Sequence, residues 1–296
     1  MVRPKKVGGR IIMGDGIVGN KTKHLILRIF FTLILLCLAF TMILPLLWMI
    51  SASFKIEADV MKFPIEWIPS RWNIIDNFTA VWSGRFSFLT FYLNSIKVTV
   101  LTTILQAIVS AMGAYAFSKL KFRGRNILFL VFLSMMMIPD QVTILPKFIA
   151  FNWLDLYDTH LGLILLGSFS VYGMFLLKQY MTTIPDTLLE SAKIDGAGHA
   201  RIFVRIILPL SKPALVTLMI LKFVWTWNDF QNPLIFLNSE SLYTIPLGLK
   251  KFMTEYSSTV SLMMVSAVCA IIPLIIIFLF GQKYIVEGLT VGAVKG

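Results

Sequence analysis

The residues best suited to chemistry lie between positions 222 and 232. Lys222, Thr226, Asn228, Asp229, Gln231 and Asn232 interrupt an otherwise apolar stretch, together with Trp225 and Trp227. Ionisable side chains in such a stretch are costly and mark a route for a polar solute by default. Amides offer donors and acceptors side by side and indole rings offer flat apolar surface, a pairing suited to sugar hydroxyls. Lys222 and Asp229 are seven apart, about two helical turns, so the spacing predicts that they share one face along a water-filled cavity. The competing reading is that Trp227-Asn-Asp-Phe230 packs or gates near one end of the helix. Lys222, Trp225, Trp227, Asn228, Asp229 and Asn232 are the candidate pathway residues. No catalytic or metal site is expected. His24, His160 and His199 are far apart in sequence, and Cys37 and Cys269 each sit in an apolar run, which supplies neither a nucleophile–base pair nor a ligand set.

The elements that must position these residues follow from composition. The 296 residues are 57% hydrophobic and 14% charged, against roughly 45–50% and about 25% in a soluble domain. Six runs are long and apolar enough to cross a bilayer: 25–50, 91–117, 127–150, 161–181, 214–237 and 259–280. Runs of this length are helices, since barrel strands are about 10 residues with alternating polarity. The first run is too long for a signal-peptide core, which spans about 7–15 residues. The net charge of +12 would suggest nucleic acid on a soluble protein. Here the basic residues cluster between apolar runs, the pattern that sets membrane topology, so no nucleic-acid partner is expected. Arg3, Lys5, Lys6, Arg10, Lys21 and Lys23 in the first tail, Lys119–Arg125, and Lys193–Lys212 fall on one side of a six-span chain, with the C-terminal tail. That side is the cytoplasm. The loop 51–90 fits less well, carrying Lys55, Lys62, Arg71 and Arg85 on the opposite side.

Residues 182–213 read as a basic, amphipathic helix–turn–helix on the cytoplasmic side. Pro185 suits a helix start and Asp186 its positive end. Leu188, Leu189 and Ala192 are spaced to share a face. Gly196 or Gly198 can supply the positive φ that ends the helix. A second helix begins near His199, with Ile202, Phe203, Ile206 and Ile207 on one side and Arg201 and Arg205 on another. Pro209 and Pro213 break the chain before the fifth run. The residues alone leave two readings open: a helix lying on anionic lipid, or a rigid knob presented to a soluble partner's groove.

Glu190-Ser191-Ala192-x-x-x-Gly196, followed by Ile206-x-Leu-Pro209, resembles the cytoplasmic signature loop of bacterial ABC importer permeases, with Ser191 where the family form has alanine. Met137–Pro146, Trp227–Phe230, Tyr243–Leu249 and Val286–Gly296 resemble the maltose-type, carbohydrate-uptake branch, specifically its second permease subunit. The resemblance implies an all-α integral membrane protein of the ABC importer type I permease fold, with six transmembrane helices and a cytoplasmic coupling loop. It implies a basic tail at 1–24, a permease domain at 25–285 and a C-terminal tail at 286–296. N- and C-termini would be cytoplasmic in a bacterial cell membrane. The implied partners are a second, different permease subunit, two cytoplasmic ATPase subunits, an extracytoplasmic solute-binding protein, a carbohydrate solute and membrane lipid. A polyol phosphate, peptide or amino acid is the alternative solute, and a non-transporting membrane scaffold the alternative role. Glu190, Ser191, Ala192, Asp195, Gly196, Ala197, Ile206 and Pro209 would couple the chain to an ATPase. The chain is expected to bind no cofactor and to be no enzyme. The sequence holds no Gly-x-x-x-x-Gly-Lys-Ser/Thr phosphate loop, so ATP and Mg would sit on the ATPase partner.

Overall fold

A computed structural model of the chain describes residues 15–83, 88–255 and 259–290. The ends of both predicted tails, 1–14 and 291–296, and Arg85 lie outside the described residues. The order is α1 (Asp15–Ser53), α2 (Glu57–Val60), α3 (Ile74–Ser83), α4 (Phe88–Lys119), α5 (Arg125–Met135), α6 (Asp140–Trp153), α7 (His160–Gly167), α8 (Val171–Thr182), α9 (Asp186–Ile194) and α10 (His199–Ile202). A π-helical turn (Phe203–Ile207) then leads to α11 (Leu208–Leu210), α12 (Lys212–Trp227), α13 (Gln231–Phe236), α14 (Ile245–Glu255) and α15 (Val260–Thr290). Among the described residues the β content is one isolated bridge, Lys55 to Trp72.

Among the described residues, three helices are long and apolar enough to cross a membrane by themselves: Lys23–Ser53, Phe88–Lys119 and Val260–Tyr284. The third, fourth and fifth predicted runs are not single straight helices. α5 and α6 meet at 98°, α7 and α8 at 43°, and the 199–210 segment meets α12 at 77°. Six crossings result only if each bent pair is one span. The breaks have local causes. Pro139 has no N–H to continue α5 and starts α6 with φ −60° and ψ 135°. Ser170 caps α8 by accepting from the Gly173 amide at 3.1 Å. The predicted fifth run ends early because α12 stops at Trp227, with Asn228 at φ −91° and ψ 1°.

Small residues let the bundle close. A Cβ on Gly173 would meet Ser110 Oγ at 2.9 Å and Leu218 Cδ1 at 3.1 Å, and Gln106 Nε2 closer still. So α4, α8 and α12 touch along a seam that only small side chains permit. α12 and α15 run antiparallel. The Thr217 hydroxyl donates to the Tyr284 carbonyl at 2.6 Å at one end, and Trp227 Nε1 donates to the Ala270 carbonyl at 3.0 Å further along.

The end of the bundle away from 182–213 is closed by the segment that follows α1, whose described cations, Lys55, Lys62 and Arg71, find partners inside it. Lys55, 1% exposed, donates to the Glu66 carbonyl. Lys62 pairs with Glu66 at 3.0 Å, and Arg71 forks onto Asp59 at 2.8 and 3.0 Å. These partners hold both carboxyls below the usual carboxylate range. The Glu57 carboxylate accepts from the Val260 and Ser261 amides at 2.8 Å each, so the loop caps α15 across 203 and 204 residues of sequence.

Candidate functional site

The 182–213 segment is a packed extension of the bundle. α9 ends in a Schellman motif. The Gly196 amide donates to the Lys193 carbonyl and the Ala197 amide to the Ala192 carbonyl, with Gly196 at φ 79°. The motif explains why glycine follows alanine at this spacing: Ala192 and Ala197 are its paired inner residues, and both pack against the core. Gly198 does not share the role; its φ is −73° and it starts α10. The apolar face of the two helices is spent inside the protein. Leu189, Ile202 and Ile207 are buried against Ala111, Ala114 and Tyr115 of α4 and Leu177 and Met181 of α8. Leu188 departs from the predicted shared face and points outward.

An interfacial helix lays a continuous apolar face on lipid; here most of that face is buried, and the exposed apolar side chains, Leu188, Ile194, Val204 and Leu210, are interspersed with charged ones. What remains outward is a small, mixed surface. Glu190, Ser191, Asp195, Gly196 and Pro209 are exposed, with Ile194 87% exposed beside them, while Ala192, Ala197 and Ile206 turn inward. Arg201 and Arg205 are both exposed. The Phe203–Ile207 π turn was not legible in the sequence; it reconciles the Ile202 and Ile207 spacing with one buried face.

Two residues outside the signature fix the segment. Lys119, its side chain 3% exposed at the end of α4, reaches Asp186 at 2.7 Å and donates to the Ile184 carbonyl. The Lys119 hydrogen bond holds the Asp186 carboxyl below the usual carboxylate range. Tyr115, one turn earlier, places its hydroxyl 3.3 Å from His199 Nδ1. Lys119 entered the sequence reading only as a topology charge, because a pairing across 67 residues leaves no local pattern.

The six pathway candidates are not gathered on one surface. Trp227 is buried, with its Nε1 on the Ala270 carbonyl, a stacked Phe223 at 5.7 Å and an edge-on Tyr92 at 5.8 Å. Trp225 lies on the outside, 78% exposed. Asn228 is exposed and its amide folds back to the Val224 carbonyl. Asp229 lies beyond the end of α12, so it does not share a helical face with Lys222. Its carboxylate accepts from the Asn232 amide at 3.1 Å and from Asn232 Nδ2 at 2.7 Å, which caps the start of α13. Lys222 is half-buried and leans into the seam between α4 and α7. Its Nζ would sit 3.3 Å from a Cβ on Gly167, a position also crowded by Thr102. Around that seam, Thr102, Thr103, Gln106 and Thr226 each hold a buried oxygen with no hydrogen-bond partner. Among the described residues, no cluster of His, Cys, Asp and Glu could hold a metal.

The arrangement offers a bundle with buried polar seams at one level and a rigid helical knob at one end. Residues 103–291 match the family model for the binding-protein-dependent transport system inner membrane component. The chain belongs to this family. It is therefore an ABC transporter permease subunit, a membrane component of a transport system and not itself an enzyme. It is 36% identical over 270 residues to the arabinooligosaccharides transport system permease protein AraQ of Bacillus subtilis, covering 91% of this chain and 96% of the relative. It is 34% identical to the galactooligosaccharides transport system permease protein GanQ of the same organism, over 93% of this chain and 98% of the relative. Among solved structures, it resembles a chain of a bacterial ABC transporter involved in the import of the acidic polysaccharide alginate. That likeness has a TM-score of 0.79 and 26% identity, over 88% of this chain and 96% of the other.

Proposed function

We propose that this permease subunit forms half of a translocation pathway for a carbohydrate, a sugar or oligosaccharide, in an ATP-driven importer. A second, different permease subunit supplies the other half. An extracytoplasmic binding protein delivers the solute, in keeping with the family's description. Two ATPase subunits on the cytoplasmic side hold ATP and Mg, and this chain binds neither. Both of its termini lie in the cytoplasm, and the tail from 286 reaches the ATPase pair. Trp225 and Asn228, exposed on this chain, are the candidates to meet solute or the second permease, and Lys222 tunes the polar seam behind them.

The observation that carries the reading is the knob 186–210. Its apolar face is buried against α4 and α8, while Glu190, Ser191, Asp195 and Gly196 face outward. A packed knob can pass force to the bundle, and docking couples only if it differs between the two states of the ATPase. The test uses the assembled importer in proteoliposomes, comparing wild type with Glu190→Lys combined with Gly196→Pro. Proline cannot adopt the φ of 79° at position 196. Loss of the ATPase stimulation given by solute-loaded binding protein, at normal membrane levels of the chain, is expected. Undiminished stimulation would remove the knob from the coupling path. A strain lacking the chain should lose uptake of labelled oligosaccharides; retained uptake of all of them would count against the carbohydrate assignment.

A further inference from the structure

We propose that α4 is the strut that carries motion of the knob across the bundle, and that Lys119 and Tyr115 are the positioning residues that mount the knob on it. The inference rests on the knob reading and adds the route by which its movement leaves it. Three observations carry it.

The mounts are two and they are separate. Lys119 holds the start of α9 through Asp186 and the Ile184 carbonyl, while Tyr115 holds the start of α10 through His199. The two side chains are four apart and stack on one face of α4. Ile184 is followed by Pro185, which has no N–H to give its surroundings. The lysine ammonium satisfies the Ile184 carbonyl at the joint where α8 gives way to α9. A buried ammonium with these partners is a fixed point, since releasing it would leave a charge in a low-dielectric site.

The strut is continuous. α4 runs 32 residues without proline, roughly 48 Å at the helical rise, whereas α1 and α15 carry Pro45 and Pro273 and the other crossings are bent.

Its far end is bonded as firmly as its near end. Ser95 Oγ accepts from the Ile245 amide at 2.7 Å, and Asn94 Nδ2 donates to the Ser241 and Tyr243 carbonyls at 2.8 and 3.0 Å. Phe91 fills the space that a side chain on Gly248 would need. A displacement of the knob is thus delivered to residues 241–248, at the end of the bundle where α12 stops at Trp227.

The test uses the assembled importer with spin labels at Leu101→Cys on α4 and Lys193→Cys on α9, in a Cys37→Ser and Cys269→Ala background. The distance between the labels is measured in the nucleotide-free and ATP-held states. A strut requires one narrow distribution, the same in both states. Lys119→Met should broaden it and lower binding-protein-stimulated hydrolysis roughly tenfold, the scale of one lost charged hydrogen bond, while unstimulated hydrolysis is kept. Lys119→Arg should restore both readouts, and Tyr115→Phe should give a smaller loss of the same kind. A distance that shifts between states in the wild type overturns the proposal. So does a Lys119→Met protein with an unchanged distribution and full stimulation. Glu190→Lys separates the two ideas. It should abolish stimulation without altering the label distance, and if it leaves stimulation intact the knob reading fails while the distances still decide the strut.

Discussion

Gly196 is the residue on which the outward surface of α9 depends. At φ 79° any L side chain is strained, although nothing lies within 4 Å of a Cβ built there. The strain is backbone alone, about 1–2 kcal/mol. Gly196→Ala should therefore keep the chain folded and inserted while loosening the Schellman turn. Faster amide exchange at Ala197, whose N–H reaches the Ala192 carbonyl at 2.9 Å, would register it. Trp227 makes the opposite case of a residue held by everything around it. Pro273 removes the N–H that would serve the Cys269 carbonyl and opens that turn of α15, and the indole takes up the neighbouring Ala270 carbonyl. Trp227→Phe keeps most of the ring packing and orphans that contact, so a loss of about 1–3 kcal/mol in thermal unfolding of the purified complex is expected. Asp158 adds a pH signature. Its carboxylate accepts from the Ser239 hydroxyl and from the Ser239 and Asn238 amides. These bonds, the hydroxyl first, hold its carboxyl below the usual range. A depressed carboxyl stabilises above its ordinary value of about 3.9 and loses that contribution as pH falls through the depressed value. Protection of the Asn238 and Ser239 amides, corrected for intrinsic rates, should stay flat between about pH 5 and 8 and collapse at all pH values in Asp158→Ala.

At the scale of elements, the seam between α4 and α8 is the least forgiving. Gly173→Val would drive a side chain into Gln106, Ser110 and Leu218. Because the clash lies where α4, α8 and α12 meet, the expected result is a chain that inserts but fails to assemble with its partners, read by co-purification. The small residues of this seam were legible, since glycine, serine and alanine at helical spacing have few other uses in an apolar run. The two faces of the knob were mostly legible for a similar reason, with Leu188 misplaced because a spacing argument cannot tell the edge of a buried stripe from its centre. The breaks at Gly167–Ser170 and Asn228–Phe230 were not legible. Mean apolarity runs straight through the first, and at the second the polar residues were read as a continuing helical face. In fact Asp229 and Asn232 bond each other and start a new helix. Tertiary partners such as Lys119 with Asp186, or Glu57 with the α15 amides, lie 67 and 203 residues apart and leave no trace in any local window.

For the whole molecule, Glu57 is the tie that closes the end opposite the knob. Removing it with Glu57→Ala frees two amides at the start of α15 and should speed exchange at Val260 and Ser261, with a lower unfolding temperature, while the knob-side amides stay protected. The same loop has a consequence for how the chain is made. Lys62 and Arg71 meet the carboxylates of Glu66 and Asp59, and Lys55 the Glu66 carbonyl, only once the loop has folded. To the machinery that inserts the nascent chain they are bare positive charges, and it reads positive charge before any partner is in place. The first hairpin is thus oriented by a contest between four cations in 51–90 and the six of the leading tail, Arg3, Lys5, Lys6, Arg10, Lys21 and Lys23. Neutralising Arg3, Lys5, Lys6 and Arg10 should yield a mixture of both orientations of α1 in a reporter-fusion assay. Neutralising Lys62 and Arg71 in the same background should restore a single one. Once the loop has folded, Lys55 is buried on the Glu66 carbonyl, so whichever orientation that contest sets is held by the folded loop itself.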